Sequence, residues 1–160
     1  MSAIQSLLLV LESAEKTRDE AQTAMEAARQ AFEGARQQAQ SLGDWRREYE
    51  QRWQQQFRQT GGMEIMRCYQ DFMLRLADAV SDQDRKVEQA KAHLERMRLQ
   101  LIERERKVAA VAQLIDRRQA ETLHRQNRQE QKATDEIAAR SALNTAGFGA
   151  SGSPMGARSL

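Results

Sequence analysis

The chain of 160 residues has one proline, one cysteine, eight glycines and eight aromatic residues, and each scarcity excludes something. With Pro154 as the only proline and few glycines outside residues 147–156, there are too few turn signals for a many-stranded or multi-layered fold. Aromatics at 5% are too sparse for the bulky core of an ordinary compact domain. Cys68 has no second cysteine to pair with inside the chain, which points to a reducing cytosol. Long apolar runs are also missing. The stretch LLLVL at 7–11 lacks a basic start and runs into Glu12 and Glu15, so it fits no signal core. It falls far short of the ~20 residues needed to cross a bilayer. The net charge of +2 comes from interleaved signs, with no basic stripe of the kind a nucleic acid requires.

What is abundant is Ala, Gln, Glu, Arg and Leu, the residues of long helices. Residues 4–59 contain only Gly34 and Gly43 as interior breakers, and residues 64–142 contain neither glycine nor proline. Between them Thr60-Gly61-Gly62 is the one strong turn signal, giving a turn over 60–63. After Leu143 the chain becomes rich in Gly and Ser, which predicts a disordered tail over 144–160. The predicted fold is therefore all-α. It is a long two-helix antiparallel coiled-coil hairpin over 1–143, with the second helix longer than the first.

Heptad spacing supplies the register. Ile4, Leu7, Leu11, Ala14, Arg18, Ala21, Met25, Ala28, Phe32 and onward to Trp53 step alternately by three and four. Tyr69, Met73, Leu76, Val80, Gln83, Val87, Ala90 and onward to Arg118 do the same. Paired antiparallel, partners have residue numbers summing to 122, as in Trp53 with Tyr69, Ala28 with Leu94 and Leu7 with Ile115. The midpoint, 61, falls in the double glycine. Charge agrees: residues 4–27 hold five acids and two bases, while the facing 96–119 hold seven bases and three acids. One layer fits poorly. Arg18 faces Arg104 and calls for Glu15, Glu103 or Glu105 as acceptor. A swapped dimer could use the same contacts as the intrachain hairpin.

Two regions invite a functional reading. The register leaves roughly 24 residues of the second helix without a partner, about 36 Å at the helical rise, and EQKATDEIAAR at 130–140 lies among them with Ile137 as its only large apolar side chain. Such a segment is either a solvated helix end or a surface held by another protein. Six of the eight aromatics fall between Trp45 and Phe72. Trp45, Phe57 and Phe72 lie one position off the seam, so they either widen a narrow core or form a docking patch.

Catalytic chemistry finds little footing. His93 and His124 lack companions at metal-ligand spacing, and no carboxylate pair has a cleft to perturb it. Gly61-Gly62 lacks the Lys-Ser/Thr ending of a phosphate-binding loop. No cofactor, metal or catalytic residue is expected, and the chain reads as non-enzymatic.

Three blocks, SLGDWRREYEQRW at 41–53, YQDFMLRLADAVSDQ at 69–83 and EQKATDEIAAR at 130–140, occur in the order and spacing of a known family. Across about Leu7 to Arg140 the chain resembles the flagellar FliJ family of the flagellar type III export apparatus. The resemblance implies a stalk-like coil, similar to the central stalk of rotary ATPases, that binds and stimulates the export ATPase FliI in the pore of its hexameric ring. It further implies contact with the export gate protein FlhA, recycling of export chaperones, and a cytoplasmic location at the inner face of the inner membrane, without insertion. By the stalk analogy the end holding both termini enters the ring. That assigns Arg117, Arg118, Arg125, Arg128, Gln131, Lys132, Asp135, Glu136 and Arg140 to the ATPase. Leu42, Trp45, Tyr49, Phe72, Leu76 and Ala79 are then candidates for the gate. The equivalent stalk of a virulence injectisome and a generic cytosolic coiled-coil scaffold are the alternatives.

Overall fold

A computed structural model describes residues 2–59 and 62–149. They form two helices, α1 over Ala3–Gln59 and α2 over Met63–Gly149. The turn at Thr60 and Gly61, the side chain of Phe57, and the tail from residue 150 onward lie outside the described residues. Helix α2 continues through 144–149, where a disordered tail was expected. Asn144, Thr145 and Ala146 are compatible with one more helical turn, and Thr145 Oγ1 donates a 2.7 Å hydrogen bond back to the Ser141 carbonyl.

Helix α1 begins with a capping box. Ser2 Oγ accepts from the Gln5 N–H at 3.2 Å, and Gln5 Oε1 accepts from the Ser2 N–H at 3.2 Å. Helix α2 starts with the Met66 N–H on the Gly62 carbonyl, and Glu64 places an acid in the first turn, where the helix dipole favours it.

The chain divides into two compact units. The larger, Leu9–Val111, is an antiparallel pair formed by the α1 and α2 segments within it. Trp53 and Tyr69 rings lie 4.7 Å apart, which is the predicted sum of 122. Nearby, Tyr49 and Phe72 meet edge to face at 5.0 Å. The burial pattern continues that register. Ala14, Ala21, Ala28, Leu76, Gln83 and Leu101 are buried, and every other seam residue of α2 in this unit is at least half-buried. Small meets large across the seam, as Ala21 does opposite Leu101. Gln83 is a buried polar residue, and its Nε2 donates a 3.0 Å hydrogen bond to the Ala35 carbonyl, one turn from its register partner Ala39. The amide is thereby satisfied, as a buried polar group must be.

Two expectations are corrected in this unit. Arg18 pairs with its own neighbour Asp19 at 3.0 Å rather than with Glu15, Glu103 or Glu105, and Arg104 Nε is buried without a hydrogen-bond partner. A guanidinium can reach an adjacent carboxylate with less loss of side-chain freedom than one across the seam, which explains the choice. Cys68 is exposed, because one residue before the seam turns its side chain about 100° outward. The opposite net charges of the two helices are not realised as bridges either. The ion pairs among the described residues all lie within single helices, from Arg18–Asp19 to Arg98–Glu95.

The smaller unit joins Met1–Leu8 to Ala112–Leu160. Among its described residues Ile115 is buried, only 5% exposed, with Ile4 and Leu7 half-buried. From Asp116 to Phe148 every residue is exposed.

Candidate functional site: an exposed charged helix and an aromatic patch

Residues 116–148 of α2 are helical at every position and buried at none, so nothing in this segment serves a core. Arg117, Arg118, Arg125, Arg128, Gln131, Lys132, Asp135, Glu136 and Arg140 are all exposed. At about 100° per residue, Arg118, Arg125, Lys132, Glu136 and Arg140 share one face, while Arg117, Arg128, Gln131 and Asp135 occupy the adjoining one. No ion pair joins the charged side chains of 116–140 to one another among the described residues, although Glu121 with Arg125 and Glu136 with Arg140 have suitable spacing. The hydrogen bonds here are local: Thr122 Oγ1 donates to the Arg118 carbonyl at 2.9 Å, and Thr134 Oγ1 to the Glu130 carbonyl at 2.8 Å. The segment thus presents guanidinium forks and carboxylates not engaged with each other. That suits charge-assisted recognition of a second surface. Ile137 adds the one apolar contact within EQKATDEIAAR, at 65% exposed.

The aromatic patch lies in the larger unit and is layered. Trp45 (54% exposed), Tyr49 and Phe72 present ring surface to solvent, and Ala79 is exposed beside them on α2. Leu42 is half-buried and Leu76 is buried, so these two support the rings from beneath rather than face outward. The edge-to-face contact between Tyr49 and Phe72 fixes two rings across the helix pair. Trp45 and Leu42 also border an open groove with Gly34, Gln38 and Gln83.

The sequence reading passed over a second set of exposed apolar side chains. Met63, Met66 and Leu74 of α2 are 79%, 42% and 65% exposed. Leu74 lies about 200° round the helix from Phe72, on the opposite flank of the pair. Its signal was an apolar residue one step past seam Met73. On α1, Leu8, Leu9 and Val10 are likewise exposed around seam residues Leu7 and Leu11.

Titration adds little. The hydrogen bond from Arg29 holds the Glu26 carboxyl below its usual range, and the same contact raises Arg29; Glu95 does the same for Arg98. All are exposed i,i+3 pairs on helix surfaces. Among the described residues, no three His, Cys, Asp or Glu side chains converge as metal ligands, and no helix is long and apolar enough to cross a membrane.

Comparison with known proteins returned one family. The family described as flagellar FliJ protein matches residues 3–147, which takes in both helices, the aromatic patch and the exposed charged segment. No curated protein and no solved structure matched. A match over nine-tenths of the chain, on a two-helix fold with the longer second helix, has one reading: the chain belongs to the flagellar FliJ family, a non-catalytic component of the flagellar export apparatus.

Proposed function

We propose that the protein is the stalk-like coiled coil of the flagellar type III export apparatus, binding the export ATPase ring and stimulating its hydrolysis. The observation that carries this reading is the exposed segment 116–147, a helix with no buried residue and, among the described residues, no internal ion pair. A long helix exposed on all sides gains no tertiary stabilisation, so its retention is most simply explained by a partner that covers it. Arg117, Arg118, Arg125, Arg128, Gln131, Lys132, Asp135, Glu136 and Arg140 contact the ATPase. Mixed charge favours steering and orientation over raw affinity, which fits a stalk that must engage and release. Trp45, Tyr49, Phe72 and Ala79 contact the export gate, supported by Leu42 and Leu76. Aromatic residues 37–54% exposed supply the apolar anchors such an interface uses. In the same scheme the protein hands over empty export chaperones and works at the cytoplasmic face of the inner membrane.

The test adds the purified chain to the flagellar export ATPase and follows phosphate release and ring assembly. Stimulation of both is expected, with loss of at least about tenfold in binding for the Arg118→Glu, Arg125→Glu double variant, since two charge reversals at an interface cost ~1.4 kcal/mol or more together. If the native chain neither binds nor stimulates the ATPase, the stalk reading is wrong.

A further inference from the structure

On α2, the seam of the larger unit carries two polar side chains that are buried or half-buried, Gln83 and Arg104, three heptads apart, and their layers differ in one respect. At Gln83 the buried amide is satisfied by the Ala35 carbonyl at 3.0 Å. At the other, the register fixed by Trp53 and Tyr69 sets Arg18 across from Arg104. Arg18 is turned to Asp19 of its own helix, and Arg104 Nε is buried without a partner. Like charges face each other there, and a desolvated donor is orphaned. Both penalties exist only while the helices are closed, because water satisfies both guanidiniums once they separate.

We infer that the Arg18–Arg104 layer is a built-in opening point, at which the two helices part locally and reversibly while the seam on the Gln83 side stays closed. The layers flanking it hold small residues on α1, Ala14 and Ala21, both buried. An alanine itself gives up little buried area when its partner withdraws, so the apolar cost of opening falls on the facing Val108 and Leu101 alone. Ala28, equally small, is buried next to half-buried Met25 and Phe32 and lies on the side toward Gln83. Helix α1 is itself continuous through all these positions, so the opening separates side chains without unwinding the helix. Its consequence is a helix pair whose spacing yields at one level instead of bending throughout.

The three buried alanines provide matched reporters. In full-length protein carrying Cys68→Ser, single Ala14→Cys, Ala21→Cys and Ala28→Cys variants are labelled with a thiol reagent under native conditions. Ala21→Cys is expected to react about tenfold or more faster than Ala28→Cys, and at a rate similar to Ala14→Cys. Adding Arg104→Leu is expected to slow Ala21→Cys to within about twofold of Ala28→Cys. Circular dichroism on each variant verifies that helix content is unchanged. Equal slow labelling at positions 21 and 28 would overturn the inference. So would fast labelling at position 14 alone, which is fraying from one end, or a rate at position 21 that Arg104→Leu does not change.

Discussion

Replacing Arg104 by leucine should stabilise the protein, although it deletes a charged residue from a highly charged coil. In the native chain Arg104 occupies a seam position, is half-buried, and leaves Nε buried with no acceptor. An unsatisfied buried donor costs about 1–3 kcal/mol. Facing Arg18 adds a like-charge term, which remains small because Arg18 is held by Asp19 at 3.0 Å. Leucine removes both terms and contributes apolar burial next to Leu101 and Val108, about 1 kcal/mol for a partly buried side chain. Against this stands the loss of whatever packing the arginine stem supplies. The balance is a gain of about 1–3 kcal/mol. For a chain of this size that is a rise of roughly 3–10 °C in Tm, measured by loss of helical circular dichroism on heating. Arg104→Lys is the control: it keeps the charge, and its gain should be no more than half as large. A lowered Tm for Arg104→Leu would refute the reasoning, because it would mean that Arg104 finds an acceptor in solution and that the layer is not a weak point.

Two further substitutions probe the seam and the helix surface. Ala28→Leu puts three extra carbons into the most deeply buried position of α1, 3% exposed, and should cost about 1–3 kcal/mol by overpacking; urea unfolding that gives no loss would show that the seam spreads freely there. Gly34→Ala should add about 0.5–1 kcal/mol, because a Cβ at Gly34 meets nothing within 4 Å and alanine restricts the unfolded chain. The same urea titration reads it, and a loss would point to a close neighbour not visible in the isolated chain.

Register was legible in the sequence because it rests on period and symmetry, both of which survive without coordinates. Trp53 and Tyr69 meet as their residue numbers require, and every seam position of α2 from Tyr69 to Ile115 is buried or half-buried. Heptads constrain two helices strongly, since a slip of one residue turns the whole stripe outward. Local side-chain choices were not legible. Arg18 had several carboxylates within reach, and their energies differ by less than a surface ion pair is worth. The helical stretch 144–149 was missed for a related reason: Gly147 and the Ser-rich run that follows argued for disorder, yet a single glycine costs a helix only about 1 kcal/mol. Within the candidate site, the sequence separated the exposed charged stretch from the aromatic patch. The register itself separated seam Leu76, which is buried, from off-seam Phe72, which is not; grouping both as outward-facing gate candidates overlooked that difference, because residues four apart share a face.

The core itself explains why single layers matter so much. Among the described residues no large side chain is fully buried; the deepest positions are alanines and isolated aliphatics such as Ile115. A two-helix pair has only one interface, so each seam side chain keeps one side toward solvent and contributes a fraction of its full burial energy. With so thin a margin, an orphaned guanidinium at Arg104 or a satisfied amide at Gln83 is a large share of the total. Exposed ion pairs such as Arg29–Glu26 cannot make up the difference, since both partners face water and salt screens them. The same margin makes stability responsive to partners. A protein that covers segment 116–148 and is present at a hundred times its Kd adds ~2.7 kcal/mol by mass action alone, comparable to the whole effect of repairing the Arg104 layer. Thermal stability of this chain is therefore a direct readout of its assembly state, and a partner that binds it without raising Tm must also bind the unfolded chain.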